Sequence, residues 1–589
     1  VPTPRKKKLK RPSRSNAVRD NDDASALGFL AELGLPDPKR GLSGWRARLG
    51  RKNRFVGLLK RFGAGRSSPL MWGWAAEEFQ PEFGRELKSV SKAARDADAE
   101  TLEKWGEALF QSGPTEADAL SATIREVLLA EVIPVILASE SCANGLGLLE
   151  RLCRRIEQNR QVTFLDPRLE LLAKIELPLT SAFQLAELTA LRQIAAESAG
   201  FWEASLNRWV RESGGLTDGW WPWHRGLFAA WVRSLRLIES LGLDAPADES
   251  RGRLAKLFRQ VARGACSNAQ ALLVAGDLSC GYRRLTRLAE QVLQEESGLK
   301  GAPRKKRATA RGLCDEDSRL TLLRTRWGRR GTKFGLRHDE SAGEVHLWRD
   351  RSILWGNCTP AVRVGTESIQ VQGQWRVSCF HADREVQAVD LEMQIAPGVC
   401  LQRTVVLGLD DEFLLWADAV LLAEPQAIAY ELTLPLAQGI SAISETETTE
   451  CYLRGEVGAV ALVMPLSAPE WTAARSPARL ETSPAGLTMR HAVDGRVLFA
   501  PLFVGCRPIH ALRARTWRRL TVACHRAAVP ADQAMGFRIR VGDQQWLLFR
   551  SFGQKEPYSV LSMHLLCEFY LGRIERNQTI TDLLRIEHV

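Results

Sequence analysis

Eight consecutive residues, Asp218-Gly219-Trp220-Trp221-Pro222-Trp223-His224-Arg225, bring together groups that can do chemistry on a ring-shaped, charged ligand. The imidazole of His224 can take up or release a proton near neutral pH. The neighbouring guanidinium of Arg225 can hold a carboxylate or sulfate through two parallel hydrogen bonds. Trp220, Trp221 and Trp223 offer flat apolar faces on which a sugar ring can lie. A structural reading fits the same residues: three indoles filling space between helices, with His224 bonded to a backbone carbonyl.

Few other side chains can join such a site. The chain has 9 histidines and 5 tyrosines, and its first half supplies only His224 and Tyr282. Tyr282, in SCGYRRLTR, reads as a partly buried helix residue, yet it is the one phenol of that half able to donate a proton. In the second half His338, in FGLRHDES, and His381, in SCFHADRE, are the candidates; His346 follows His338 at a spacing that does not repeat. Each of these alone reads equally as a satisfied structural histidine. There is no GxxxxGK[ST], no GxGxxG after a strand, no HExxH and no GxSxG, so phosphate-loop, dinucleotide, zinc-protease and serine-elbow chemistry are excluded and no cofactor is implied. The 12 cysteines are scattered without a CxxC or a metal-ligand spacing, so no metal is expected. Cys379, Cys400, Cys524 and Cys567 lie in apolar stretches, where a reduced thiol acts as a small hydrophobe. That use of cysteine points to a reducing, cytoplasmic compartment, and the visible start, which opens at Val1, carries no apolar leader.

The elements that would position these groups change character along the chain. From about Ala24 to Leu299, apolar residues recur at three- and four-residue spacing, as in TLEKWGEALFQSG, SAFQLAELTALRQIAAES and FWEASLNRWVRES, which predicts an array of helices broken by Gly, Pro and Asp. EVLLAEVIPVILA, interrupted by Glu131 and Pro134, is too broken for a membrane span and reads as a buried helix meeting a turn. Gly298 to Gly312 is basic, with little to bury, and reads as an exposed linker. Beyond it come short alternating segments, among them EVHLWRD, AIAYELTLPL, RVLFAPLFVG and WLLFRSF, which predict an all-β region. The expected fold class is α+β multidomain: a basic tail at 1–23, a helical domain at 24–297, a linker at 298–313 and an antiparallel β-sandwich at 314–589.

Within Gly373 to Leu422, Val389, Leu391, Met393 and Ile395 alternate with Asp390, Glu392 and Gln394, and Leu401, Val405 and Leu407 precede a turn at Asp410-Asp411. This predicts three consecutive antiparallel strands. The wording, through Trp375, Cys379, Gln402-Arg403, Leu407 and Phe413 to Asp418, resembles the C-terminal sandwich of heparinase II/III-like proteins. The resemblance implies an incomplete α/α toroid before the sandwich, and lyase chemistry that cleaves uronic-acid polysaccharides by β-elimination. It also implies a Tyr and a His or Asn from the toroid meeting a His from the sandwich in the cleft between domains. Carried onto this sequence, the catalytic candidates are His224, Tyr282, His338 and His381, and the substrate-binding candidates are Trp220, Trp221, Trp223 and Arg225. Two departures matter. Tryptophan stands where the family's loop has tyrosine, and the family's H-x-H-x-D pattern survives only as His338-Asp339. Two functions therefore stay open: a polysaccharide lyase, or a catalytically inert relative that binds an acidic glycan or a protein through the same cleft.

The formal net charge of +12 favours polyanionic partners, so an acidic polysaccharide is the expected partner and a membrane is not. Nucleic acid, through the tail or Arg46 to Arg54, is the weaker class because base-stacking aromatics are not interleaved with the basic residues. The oligomeric state is not encoded in any motif.

Overall fold

In the computed structural model of the chain, the residues described are 28–35, 41–51, 53–61, 81–111, 119–141, 144–217, 219–266, 271–273, 289, 312–327, 330–338, 343–553 and 555–588. The basic tail, nearly all of the 298–313 linker, Tyr282, Asp218 and Asp339 lie outside them. The chain forms two compact units: 1–210 with 223–255 and 276–299, and 211–222 with 256–275 and 300–589. The described helices lie in the N-terminal part and the antiparallel sheets in the C-terminal part, as the change of hydrophobic period predicts.

In the first unit, helix Ala119–Ala138 is buried along most of its length. It runs through Pro134, where a turn was expected. Proline removes one backbone donor and crowds the preceding turn; beside it, the Gln184 side chain donates to the Glu131 carbonyl at 2.6 Å. A second difference falls in the stretch read as SAFQLAELTALRQIAAES. Helix Leu177–Gln184 ends there, and a new helix, Thr189–Trp209, continues straight through Gly200. Arg54 fixes that break by pairing with Glu187 and donating to the Gln184 carbonyl. Arg54 is thus engaged in holding helices rather than offered on a basic surface. Helix His224–Leu241 is buried on nearly all sides. Its Arg233 forms an ion pair with Glu176 at 2.6 and 2.9 Å, both side chains removed from water, and the Trp231 carbonyl accepts from the Trp202 indole at 2.9 Å.

The second unit is built from antiparallel sheets. One is a meander of Leu313–Asp315, Leu320–Arg324, Thr332–Arg337, Val345–Arg349 and Ser352–Gly356. The largest, of eleven strands, has Arg376–Ala382, Val386–Ala396, Val399–Gly408, Phe413–Pro435 and Gly486–Gly505 in consecutive pairing. The expected three-strand block is present, with Val405 opposite both Val389 and Trp416. The period-2 rule explains its composition, since successive side chains face opposite sides of a sheet. Val389, Leu391, Leu414 and Trp416 enter one core, whereas Ala388, Val406, Phe413 and Leu415 enter another with Trp517, Phe537 and Trp546 from a C-terminal five-stranded sheet. AIAYELTLPL and RVLFAPLFVG are not separate strands. Each continues a long strand, and the pairing of the two shifts register between Leu421 and Gln426, an irregularity that accommodates Pro425. No described helix is long and apolar enough to cross a membrane.

Candidate functional site

The Trp-rich segment begins with a loop that follows helix Thr189–Trp209 and closes tightly. Gly214 has φ +90°, and a Cβ there would lie 2.5 Å from the Lys256 backbone, so the loop requires glycine at this position. Ser213 and Gln260 both donate to Asp315, at 2.7 and 2.9 Å. Trp221 starts a single turn of 3-10 helix, is buried with Leu272, Leu320 and Trp348, and donates its indole N–H to the Leu272 carbonyl at 3.2 Å. It is therefore a core residue of the second unit. Trp220 and Trp223 remain half-buried. The Arg168 guanidinium lies 4.5 Å above the Trp223 ring, which occupies an aromatic face that a ligand would otherwise use. His224 and Arg225 open helix His224–Leu241 and are 0% and 1% exposed.

The histidines of the second unit are placed differently from one another. His338 follows strand Thr332–Arg337, is buried, and its backbone N–H donates to Arg319 at 3.0 Å. His381 lies on Arg376–Ala382, an end strand of the eleven-stranded sheet, is half-exposed, and meets Asp383 at 3.1 Å. Burial works against the charge of Asp383, but two backbone N–H groups and His381 more than offset it and hold that carboxyl below its usual range. His338 and His381 thus sit on different sheets. His346, on Val345–Arg349, accepts from the Leu273 N–H at 3.0 Å through Nδ1, and burial lowers its pKa to about 4. It is neutral and structural.

Two groupings were not singled out by sequence reasoning. His491 lines a cavity of ≈ 370 Å³ with Arg519, Asp494 and Asp532, so polar groups of both signs face one space; burial lowers its pKa to about 4. Cys524, His525 and Glu556 bring their donor atoms within 4.8 Å of one another. A Cys-His dipeptide was the only local signal for this second grouping, because the carboxylate arrives from the loop before another strand, Tyr558–Val560.

The residues through which the sequence resembles a known family serve structure. Arg403 and Asp418 form a fully buried bidentate pair at 2.8 and 2.9 Å, and the Tyr430 hydroxyl also donates to Asp418. The Arg403 guanidinium lies 4.5 Å from the Trp416 ring and 5.3 Å from that of Trp375. Burial opposes the charge on Arg403, yet Asp418 more than offsets this and raises its pKa. Burial, then Asp418, pushes the Tyr430 phenol well above its ordinary value.

No protein-family model matches the sequence, and no curated protein matches it. Solved structures do. The chain is similar to a heparinase III with a TM-score of 0.55 and 10% identity, covering 79% of this chain and 81% of that one. It is similar to a mutant of the heparan sulfate lyase HepC from Pedobacter heparinus, with a TM-score of 0.54 and 8% identity over 79% and 81% of the two chains. A heparinase III with methylated lysines aligns over 91% of this chain and 96% of its own, at a TM-score of 0.54 and 10% identity. At such identities the likeness is one of fold.

Proposed function

We propose that this is a polysaccharide lyase-like protein whose ligand is an acidic, uronate-containing polysaccharide. The observation that carries the reading is the fold shared with a heparinase III over 79% of the chain. It is supported by the net charge of +12 and by the resemblance of Gly373 to Leu422, which implies an incomplete α/α toroid followed by a sandwich. If the protein cleaves its ligand, the reaction is β-elimination. A base removes the proton at C5, a cation neutralises the uronate as the enolate develops, and an acid protonates the leaving oxygen. The side chains for these roles are His224 as base, Arg225 on the carboxylate, Tyr282 as acid, and His338 or His381 as the sandwich imidazole. Of the three tryptophans, Trp220 and the face of Trp223 turned away from Arg168 would line the sugar path, whereas Trp221 is held in the core of the second unit.

A specific observation favours the second reading, binding without cleavage. His224, Arg225 and His338 are all buried, and a group shielded on every side cannot reach a sugar without rearrangement. Ultraviolet absorbance of released unsaturated uronate separates the two. Across heparin-like, chondroitin-like and alginate-like substrates, a lyase gives an absorbance rise that His224→Gln abolishes while binding persists, since a lost base costs turnover more than ground-state affinity. An unchanged rate in His224→Gln removes His224 from the mechanism. No rise for the wild type on any substrate it binds establishes the inert relative.

A further inference from the structure

We infer that Cys524, His525 and Glu556 form a zinc site in the sheet unit, independent of any polysaccharide function. The three donor atoms lie within 4.8 Å of one another, and the thiol is free. Thiolate, imidazole and carboxylate are a donor set suited to Zn²⁺, because a borderline-soft cation accepts S, N and O ligands in one tetrahedron.

The sheet builds the site from two places in the chain. Strand Ala523–Cys524 turns back through His525 and Arg526 to pair Cys524 with Ala527. On its other side, Cys524 pairs with Tyr558, which carries Glu556 to the same end of the sheet. The two turn residues have φ +49° and +69°. A two-residue hairpin with both φ values positive ordinarily uses Asn-Gly, so His-Arg is an unfavourable choice that sets His525 beside Cys524.

The spacing of the nitrogen and oxygen donors fits ligation. His525 Nε2 and Glu556 Oε2 are 3.3 Å apart, longer than the usual 2.7–2.9 Å of a charge-assisted hydrogen bond. Zinc–nitrogen and zinc–oxygen bonds of about 2.0–2.2 Å at a tetrahedral angle place their two donors roughly 3.3–3.5 Å apart. The sulfur edge of the same tetrahedron is about 3.6 Å, so the Cys524 thiolate, within 4.8 Å of the other donors, reaches the metal by moving inward no more than roughly 1.2 Å. Three protein donors leave the fourth position to water. Binding at neutral pH releases the thiol proton to solvent.

Cobalt titration of the full, reduced chain tests the site. Co²⁺ should give a near-ultraviolet thiolate-to-cobalt charge-transfer band that saturates at one equivalent and is displaced by Zn²⁺. Cys524→Ser should lose the band, whereas Cys400→Ser, at another half-buried free thiol, should retain it. Glu556→Gln and His525→Asn should each weaken zinc at least tenfold. Asparagine tolerates the left-handed turn, so loss in His525→Asn with an unchanged metal-free thermal transition reports ligation and not folding. Absence of the band in the wild type under excess Co²⁺, or a band that survives Cys524→Ser, overturns the assignment.

Discussion

Arg403 and Asp418 illustrate how a residue can carry a recognisable sequence pattern without touching a ligand. Both are fully buried, and Tyr430 completes the arrangement. Removing one partner strands a charge away from water, at a cost of about 3–5 kcal/mol, whereas replacing both by apolar groups is often nearly neutral. Asp418→Ala should therefore lower the thermal transition of the sheet unit strongly, and Arg403→Met with Asp418→Leu should recover much of the loss. A double variant as unstable as the single one would contradict this account. The buried imidazoles make a pH prediction. His346, His491 and His510 each have a pKa lowered to about 4 from 6.5, burial being the largest cause in every case. For His510, Arg507 and Arg513 add to it. The unfolded chain takes up protons that the folded chain refuses, so this stability is intact above pH 6.5 and is lost as pH falls toward 4. The slope is up to about 1.4 kcal/mol per pH unit for each histidine. Denaturant midpoints measured from pH 7 to pH 4.5 should fall, and replacing His346 with Gln should flatten the decline. What the sequence could not convey about His224 is its burial, because a loop-to-helix junction looks the same whether it faces a cleft or a core.

At the scale of elements, legibility follows from how far each signal reaches. The three-strand block was readable because alternation from Val389 to Ile395 reports two opposite faces, one of which enters a core with Trp416. The long strands Phe413–Pro435 and Gly486–Gly505 were read as pieces because Glu424-Pro425-Gln426 has the composition of a turn, and only pairing between distant strands carries the chain through it. The helix through Pro134 escaped for a similar reason, since Gln184, which bonds the Glu131 carbonyl, lies 53 residues away. Glu556 joins Cys524 and His525 only through the pairing of Cys524 with Tyr558. The loop before Trp220 permits a test of local geometry. Gly214→Ala combines a left-handed φ with a backbone clash, whereas at Gly219, φ +77°, an added Cβ meets nothing within 4 Å. Gly219→Ala should cost roughly 1–2 kcal/mol, and Gly214→Ala, with the clash added, clearly more. Equal thermal shifts for the two would show that the loop is looser than described.

For the whole molecule, fold and charge carry the functional reading together. The fold is similar to that of a heparinase III and a heparan sulfate lyase at 8–10% identity, and the +12 excess is concentrated in the basic tail and in Gly298 to Gly312. Attraction between this charge and a polyanion acts through solvent and is screened over about 8–10 Å at physiological salt. The most direct test is the affinity of the full chain for a uronate polysaccharide, measured at increasing salt and repeated after removal of residues 1–23. The account predicts tight binding at low salt that weakens steeply as salt rises, that survives removal of the tail, and that has no counterpart for a neutral glycan. Binding that leaves entirely with the tail, or that is equal for neutral glycans and indifferent to salt, would contradict it.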